Sequence, residues 1–154
     1  MAEVTQAPAV AEPKGLAGWL ILPVIITLVS PLMTAYAAYA AFQDVMILLN
    51  AAIPSALAAF IVVALLYNFG LMTTWIFAGA LLFMHKRLYP RLFMALLVIT
   101  LIGKVLDLVV AATAFNVTID SSDVRSAGWY AIQLAILGPY MRQSVRVKNT
   151  FVVD

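Results

Sequence analysis

The stretch "IPSALAAFIVVALLYNFGLMTTWIFAGALLFM" (residues 53–84) contains no charged side chain. A helix needs about 20 apolar residues to cross the hydrocarbon core of a bilayer, so this stretch is long enough to span one. The whole chain has the same character, because 65% of its 154 residues are hydrophobic and 10% are charged. About a quarter of the residues in soluble domains are charged. Lipid is therefore the expected solvent for most of this chain.

Three further apolar stretches bring the expected number of membrane-spanning helices to four. The predicted spans are about 16–39, 56–83, 92–115 and 125–142. They belong to a single domain of residues 15–154 that ends in a basic segment, residues 142–154. The predicted fold class is all-α, an integral membrane four-helix bundle.

Two segments outside the spans have predictions of their own. Asp44 and Asn50 lie between the first two spans, which favours a short interfacial helix over residues 40–54. Residues 1–14 are rich in Ala, Pro and Glu, so we expect a disordered cytosolic tail there.

Basic residues predict the orientation of the spans. Seven of the nine Lys and Arg residues lie before the first span, in the connection "HKRLYPR" (residues 85–91), or after the fourth span. With four crossings these three segments share one side of the membrane. Of the remaining two basic residues, Lys104 lies within the third span and Arg125 lies on the other side. Loops rich in Lys and Arg stay in the cytosol. Both termini are therefore predicted to be cytosolic.

Two charges interrupt the third span, in "ITLIGKVLDLVVAA" (residues 99–112). Lys104 and Asp107 are three residues apart on one helix face and can pair. At 1.5 Å per residue, polar residues of the other spans reach similar depths, which predicts one intramembrane polar layer. Its candidate residues are Lys104, Asp107, Asn68, Gln133 and Ser30. Two interpretations stay open. The pair is a structural lock held by Asn68 and Gln133, or the layer lines a cavity for a substrate, a lipid headgroup or a proton.

No catalytic or metal-binding residue is expected. The chain has no cysteine and a single histidine, His85, which lies in the basic connection. Motifs for zinc proteases, serine hydrolases and phosphate loops are missing from the sequence, and no cluster of metal ligands is visible. We therefore expect neither an enzyme nor a cofactor. Membrane topology explains the basic residues, so nucleic acid is not an expected partner.

The chain ends in "RQSVRVKNTFVVD" (residues 142–154). A basic cluster at the cytosolic surface favours contact with membrane lipids, anionic headgroups in particular. A membrane-protein partner or a homo-oligomer is the other expected kind of contact. The candidate contact residues are Arg142, Arg146, Lys148, Asn149 and Phe151. Asn149 and Thr150 also predict a turn that folds Phe151 back onto the bundle.

Three short segments of the sequence resemble one protein family. "LAGWLILP" (residues 16–23) opens the first span, Gly128-Trp129 lies near the start of the last, and "PYMRQSVRVKNTFV" (residues 139–152) closes it. Together they resemble the bacterial family catalogued as domain of unknown function 2569, with "RVKNTF" (residues 146–151) as the most specific part. The resemblance implies a small, four-span protein of the bacterial inner membrane and implies no reaction or substrate.

The expected function is therefore binding. The chain is predicted to be an accessory, scaffolding or lipid- or partner-binding subunit that uses its cytosolic end. The alternative is a small oligomeric transporter or channel-like protein that uses the polar layer around Lys104 and Asp107.

Overall fold

A computed structural model describes residues 15–16, 18–48 and 54–153 of the chain. A short 3₁₀ turn (Gly18–Leu20) leads into the first of five helices. The helices are α1 (Ile21–Leu48), α2 (Ser55–Phe83), α3 (Leu88–Phe115), α4 (Ser121–Gln143) and α5 (Val145–Thr150). The prediction of an all-α fold is confirmed. The predicted disordered tail, residues 1–14, and Asn50 lie outside the described residues.

Three of these helices are long and apolar enough to cross a membrane, namely the segments Gly18–Ile47, Ser55–Phe83 and Leu88–Phe115. The chain is thus built as a multi-pass membrane protein. The fourth long helix, α4, has 23 residues and carries Asp123 and Arg142 in its end turns.

The first helix is longer than predicted. It continues without a break to Leu48, so residues 40–48 extend α1 instead of forming a separate interfacial helix. The physical reason is local, because "AAFQDVMIL" (residues 40–48) contains neither Gly nor Pro and nothing in it ends a helix. At 1.5 Å per residue the 28 residues of α1 measure about 42 Å. This length exceeds the hydrocarbon core of about 30 Å, so α1 tilts or extends beyond it.

The start of α4 is fixed by Asp120, which precedes the predicted fourth span. The Asp120 carboxylate accepts hydrogen bonds from the Ser121 backbone N–H at 2.7 Å and from the Ser122 hydroxyl at 2.8 Å. The bond from Ser122, followed by that from Ser121, holds the pKa of this exposed carboxyl below its ordinary value. Asp120 is thus the N-cap of α4, and the helix begins four residues before the predicted 125.

The long helices pack as two hairpins. α1 lies along α2 and α3 along α4, and the hairpins meet through α2 and α3. We call the end built from residues 18–24, 78–93 and 137–153 the closed end, and the opposite end the open end. The buried residues of α2, α3 and α4 all lie in the closed-end half of their helices.

Aromatic rings fill the core of the closed end. Trp75 and Phe93 are 5.9 Å apart between ring centroids, and Tyr89 is 5.8 Å from Phe93. Tyr89 is fully buried, and its hydroxyl lies 2.9 Å from that of Thr27 on α1. The Thr27 hydroxyl bonds in turn to the Pro23 carbonyl at 2.8 Å. Three helices are therefore joined at this point by rings and hydroxyl groups together.

The end of the chain closes over this core. Phe151 is buried against Tyr89, with a ring-centroid distance of 4.7 Å, so the prediction that Phe151 folds back is confirmed. The return runs through the short helix α5 and not through a turn alone. The Arg87 N–H donates to the Val153 carbonyl at 2.9 Å, which ties the tail to the connection between α2 and α3.

Gly103 on α3 allows α2 to approach. The Tyr67 hydroxyl of α2 reaches across and donates to the Ile99 carbonyl at 2.8 Å. A Cβ atom added at Gly103 would overlap the hydroxyl and the ring of Tyr67. The absence of a side chain at position 103 is therefore what admits this ring.

This close approach predicts a stability difference between two glycines. We expect Gly103→Ala to lower the free energy of unfolding by about 1–3 kcal/mol, because the Tyr67 ring must move. The control is Gly70→Ala, where no atom lies within 4 Å of the added Cβ and the change should stay within about 0.5 kcal/mol. Reversible unfolding in detergent measures both. Equal effects would show that Tyr67 moves aside freely.

Candidate functional site

The charged pair within the third span belongs to a group of three. Lys104 Nζ lies 3.7 Å from Asp107 Oδ2 on the same helix and 3.5 Å from Asp123 Oδ1 in the first turn of α4. We call Lys104, Asp107 and Asp123 the Lys104 cluster. One cation between two carboxylates leaves this cluster with a net negative charge. Asp123 was not predicted as a member, because the predicted fourth span started after it.

The cluster is partly open. The side chains of Lys104, Asp107 and Asp123 are 28%, 47% and 39% exposed. The cluster therefore joins two helices, α3 and α4, and the Asp107 carboxylate is not enclosed by protein.

The other residues of the predicted polar layer are not brought to this pair. Asn68 Nδ2 donates to the Ala64 carbonyl of its own helix at 2.8 Å. Ser30 offers its backbone carbonyl to Thr34 on α1. Over the described part of the chain, no hydrogen bond joins Asn68 or Gln133 to Lys104 or Asp107. The interpretation that Asn68 and Gln133 hold the pair stays a prediction, whereas Asp123 is the residue of α4 that meets Lys104 in the structure.

A groove of about 830 Å³ lies at the closed end, between α3, the end of α4 and α5. We call it the basic groove. Four of its lining residues are cationic: Arg87, Arg91, Arg142 and Lys148. The others are mainly apolar: Pro90, Met94, Ala95, Val98, Ile99, Met141, Val147 and Phe151.

The helix boundaries bring the four cations together. α3 begins at Leu88, so Arg87 and Arg91 are one turn apart at its start and share a face. Arg142 lies in the last turn of α4, and Lys148 lies on α5, which turns back toward α3. Arg87 and Lys148 are about sixty residues apart in sequence and line the same groove only because the tail folds back.

The predicted contact residues of the tail divide between two places. Arg142, Lys148 and Phe151 line the basic groove. Arg146 points elsewhere, toward the start of the chain, where its Nη1 atom would lie 3.2 Å from a Cβ at Gly18. Asn149 is half-buried and does not line the groove. Arg87 and Arg91 were missed as site residues, because their charges were assigned to membrane topology alone.

The carboxylates of the described residues lie far from the basic groove. They are Asp44, Asp107, Asp120 and Asp123, all in the open-end half of the molecule. Within the same part of the chain, no carboxylate pairs with Arg91, Arg142 or Lys148. Arg91, Arg142 and Lys148 therefore present positive charge to the groove that described acidic residues do not neutralise. Nor are any three His, Asp or Glu side chains in the described ranges placed to hold a metal ion.

Comparison with known proteins identifies a family. The family model described as "Protein of unknown function (DUF2569)" matches residues 13–152. This match confirms the resemblance seen in the sequence, and it covers every described helix. No curated protein and no solved structure matches the chain.

Proposed function

Because the chain belongs to the DUF2569 family, whose description names no activity, we propose a function from its own geometry. It is a small multi-pass protein of the bacterial inner membrane that acts by binding and not by catalysis. It serves as an accessory or scaffolding subunit, and the basic groove is its binding site.

We further propose that α4 is a fourth span and that the closed end faces the cytosol. The 23 residues of α4 measure about 34 Å, enough for a hydrocarbon core of about 30 Å. The helix packs along α3, so both cover the same depth. The described Lys and Arg residues outside the Lys104 cluster lie at the closed end, except for Arg125. This distribution supports a cytosolic closed end.

The observation that supports the proposed function best is that cationic and apolar side chains line the same groove. A topology signal needs only basic residues near the membrane, and these can point in any direction. Here Arg91, Arg142 and Lys148 converge from three helices onto a single concave surface with an apolar wall. Concave sites with few polar groups on an apolar lining are typical of ligand binding.

The Lys104 cluster supports a second candidate, a small oligomeric transporter or channel-like protein. The observation that favours it is the 47% exposure of Asp107, since a charge left open at membrane depth is usually functional. Neither the basic groove nor the cavity of about 340 Å³ beside Arg125 is lined by Lys104 or Asp107. The binding function is therefore better supported than a conduction path.

Photo-crosslinking tests the proposed function. A benzophenone side chain at Val98 would lie in the basic groove, ten residues from the closed end of α3. The matched control is Thr73, exposed and ten residues from the closed end of α2. We expect the Val98 probe in native membranes to give one adduct of defined mass that disappears in Arg91→Gln/Arg142→Gln. The same mixture of adducts from both positions would overturn the proposed function.

A further inference from the structure

We propose that the basic groove binds one anionic phospholipid, an inference that rests on the proposed function because it names the ligand class of the same groove. The headgroup phosphate lies against Arg91, Arg142 and Lys148. The first part of one acyl chain lies against Met94, Val98 and Ile99. The argument has three steps, which concern charge, shape and depth.

The charge of the groove selects an anion. A guanidinium presents a planar fork of N–H donors that matches a phosphate, and two such forks are available from Arg91 and Arg142. Lys148 adds a third positive charge on a flexible stem. The described carboxylates lie in the other half of the molecule, so they offer no partner for a choline or ethanolamine cation. A net anionic headgroup is therefore favoured over a zwitterionic one.

The shape of the groove selects an amphiphile. Its volume of about 830 Å³ falls within the range of 300–1,000 Å³ that is typical of small-molecule sites. Met94 and Val98 are four residues apart on one face of α3, so they form an apolar strip about 6 Å long. Val98 and Ile99 are 37% and 47% exposed. Free phosphate would leave this strip unused, whereas an acyl chain covers it.

The depth of the groove agrees with a lipid headgroup. Its cations lie at the start of α3 and at the end of α4, where these helices reach the membrane boundary. The apolar strip continues from there along α3 into the span Leu88–Phe115. Anionic lipids attract basic residues most strongly at the cytosolic surface. A phospholipid in the adjacent leaflet can therefore place its phosphate and its chain in the groove without leaving the bilayer.

The experiment compares lipid retention by three forms of the full-length protein. The parent, Arg91→Gln/Arg142→Gln and the control Arg125→Gln are placed in nanodiscs of equal parts phosphatidylglycerol and phosphatidylcholine. Native mass spectrometry then counts the lipids retained after release. Arg125 is an arginine at the open end that does not line the basic groove, so its replacement removes one positive charge elsewhere. Helix content and monodispersity establish that each form is folded.

We expect the parent and Arg125→Gln to retain one phosphatidylglycerol in preference to phosphatidylcholine. The double variant should lose this preference by about 10- to 30-fold, as expected for the removal of two cations near a lipid surface. Equal retention of phosphatidylglycerol by the parent and the double variant would overturn the proposal. If the double variant does not fold, Lys148→Gln on the short helix α5 takes its place, with a smaller loss of the same sign.

The photo-crosslinking result separates this inference from the proposed function. Suppose that no phospholipid is retained but the Val98 probe gives a protein adduct that depends on Arg91 and Arg142. The groove then binds a partner, and only the lipid inference fails. If the parent shows neither a preferred lipid nor a specific adduct, both fail. Competition by inorganic phosphate that displaces the retained lipid fully at low concentration would identify a phosphate site and overturn the lipid assignment.

Discussion

Replacement of Tyr89 by alanine is expected to lower the free energy of unfolding by about 3–5 kcal/mol. The ring is fully buried and contacts the rings of Phe93 and Phe151 at centroid distances of 5.8 and 4.7 Å. Its removal would leave a cavity where α1, α3 and the tail meet. Since Phe151 also lines the basic groove, the loss should deform the groove as well.

A second variant separates the ring from its hydroxyl. Tyr89→Phe keeps the ring contacts and removes the hydroxyl that lies 2.9 Å from the Thr27 hydroxyl. We expect a smaller loss of about 1 kcal/mol, because Thr27 still donates to the Pro23 carbonyl. Tyr36→Ala on α1 is the control, since its side chain is 73% exposed. Reversible unfolding in mixed micelles measures all three. A loss under 1 kcal/mol for Tyr89→Ala would contradict the assignment of the core to the closed end.

Replacement of Lys104 by methionine is expected to be the next most damaging change, with a loss of about 2–3 kcal/mol. The substitution leaves Asp107 and Asp123 facing each other without a cation. The partial exposure of all three side chains keeps the expected loss below the 3–5 kcal/mol typical of fully buried pairs. Asp107→Leu should cost less, about 1 kcal/mol or under, because Lys104 retains Asp123 as its partner.

The double and triple variants test the three-residue cluster against a simple pair. In a simple pair, Lys104→Met/Asp107→Leu would restore the parent stability. Here Asp123 still lacks its cation in the double variant, so we expect partial recovery, and full recovery only when Asp123→Asn is added. Thermal unfolding in nanodiscs measures the series. Full recovery in the double variant, or equal losses for the two single variants, would contradict the role given to Asp123.

The apolar pattern of the sequence was sufficient to predict the long helices, but it did not predict where all of them begin and end. The uncharged stretch predicted a span over 56–83, and α2 runs from Ser55 to Phe83. The start of α3 was placed four residues late, because Pro90 and the neighbouring charges resemble a loop. Proline is tolerated in the first turn of a helix, where its missing N–H has no partner to lose. This difference put Arg91 outside the predicted helix.

The candidate sites were harder to predict, because they depend on which face of each helix meets its neighbour. Depth alone suggested Asn68 as a partner of the charged pair, whereas Asp123 in the first turn of α4 is the residue that meets Lys104. The basic groove needs Arg91 to meet Lys148, and only the folded tail brings them together. Nothing in the local sequence around either residue shows that contact.

The most direct test of the account is the side of the membrane on which each end of α4 lies. The chain has no cysteine. A single cysteine introduced at Val117, Met84 or Val152 is therefore the one site in the protein that a thiol reagent can label. All three positions are exposed in the structure. In intact bacterial cells, a maleimide that cannot cross the membrane should label Val117→Cys at once, and label Met84→Cys and Val152→Cys only after permeabilisation. That result would place the closed end and its basic groove at the cytosolic leaflet. Labelling of Val152→Cys in intact cells would contradict the account, because the groove would then face the opposite side or α4 would not cross.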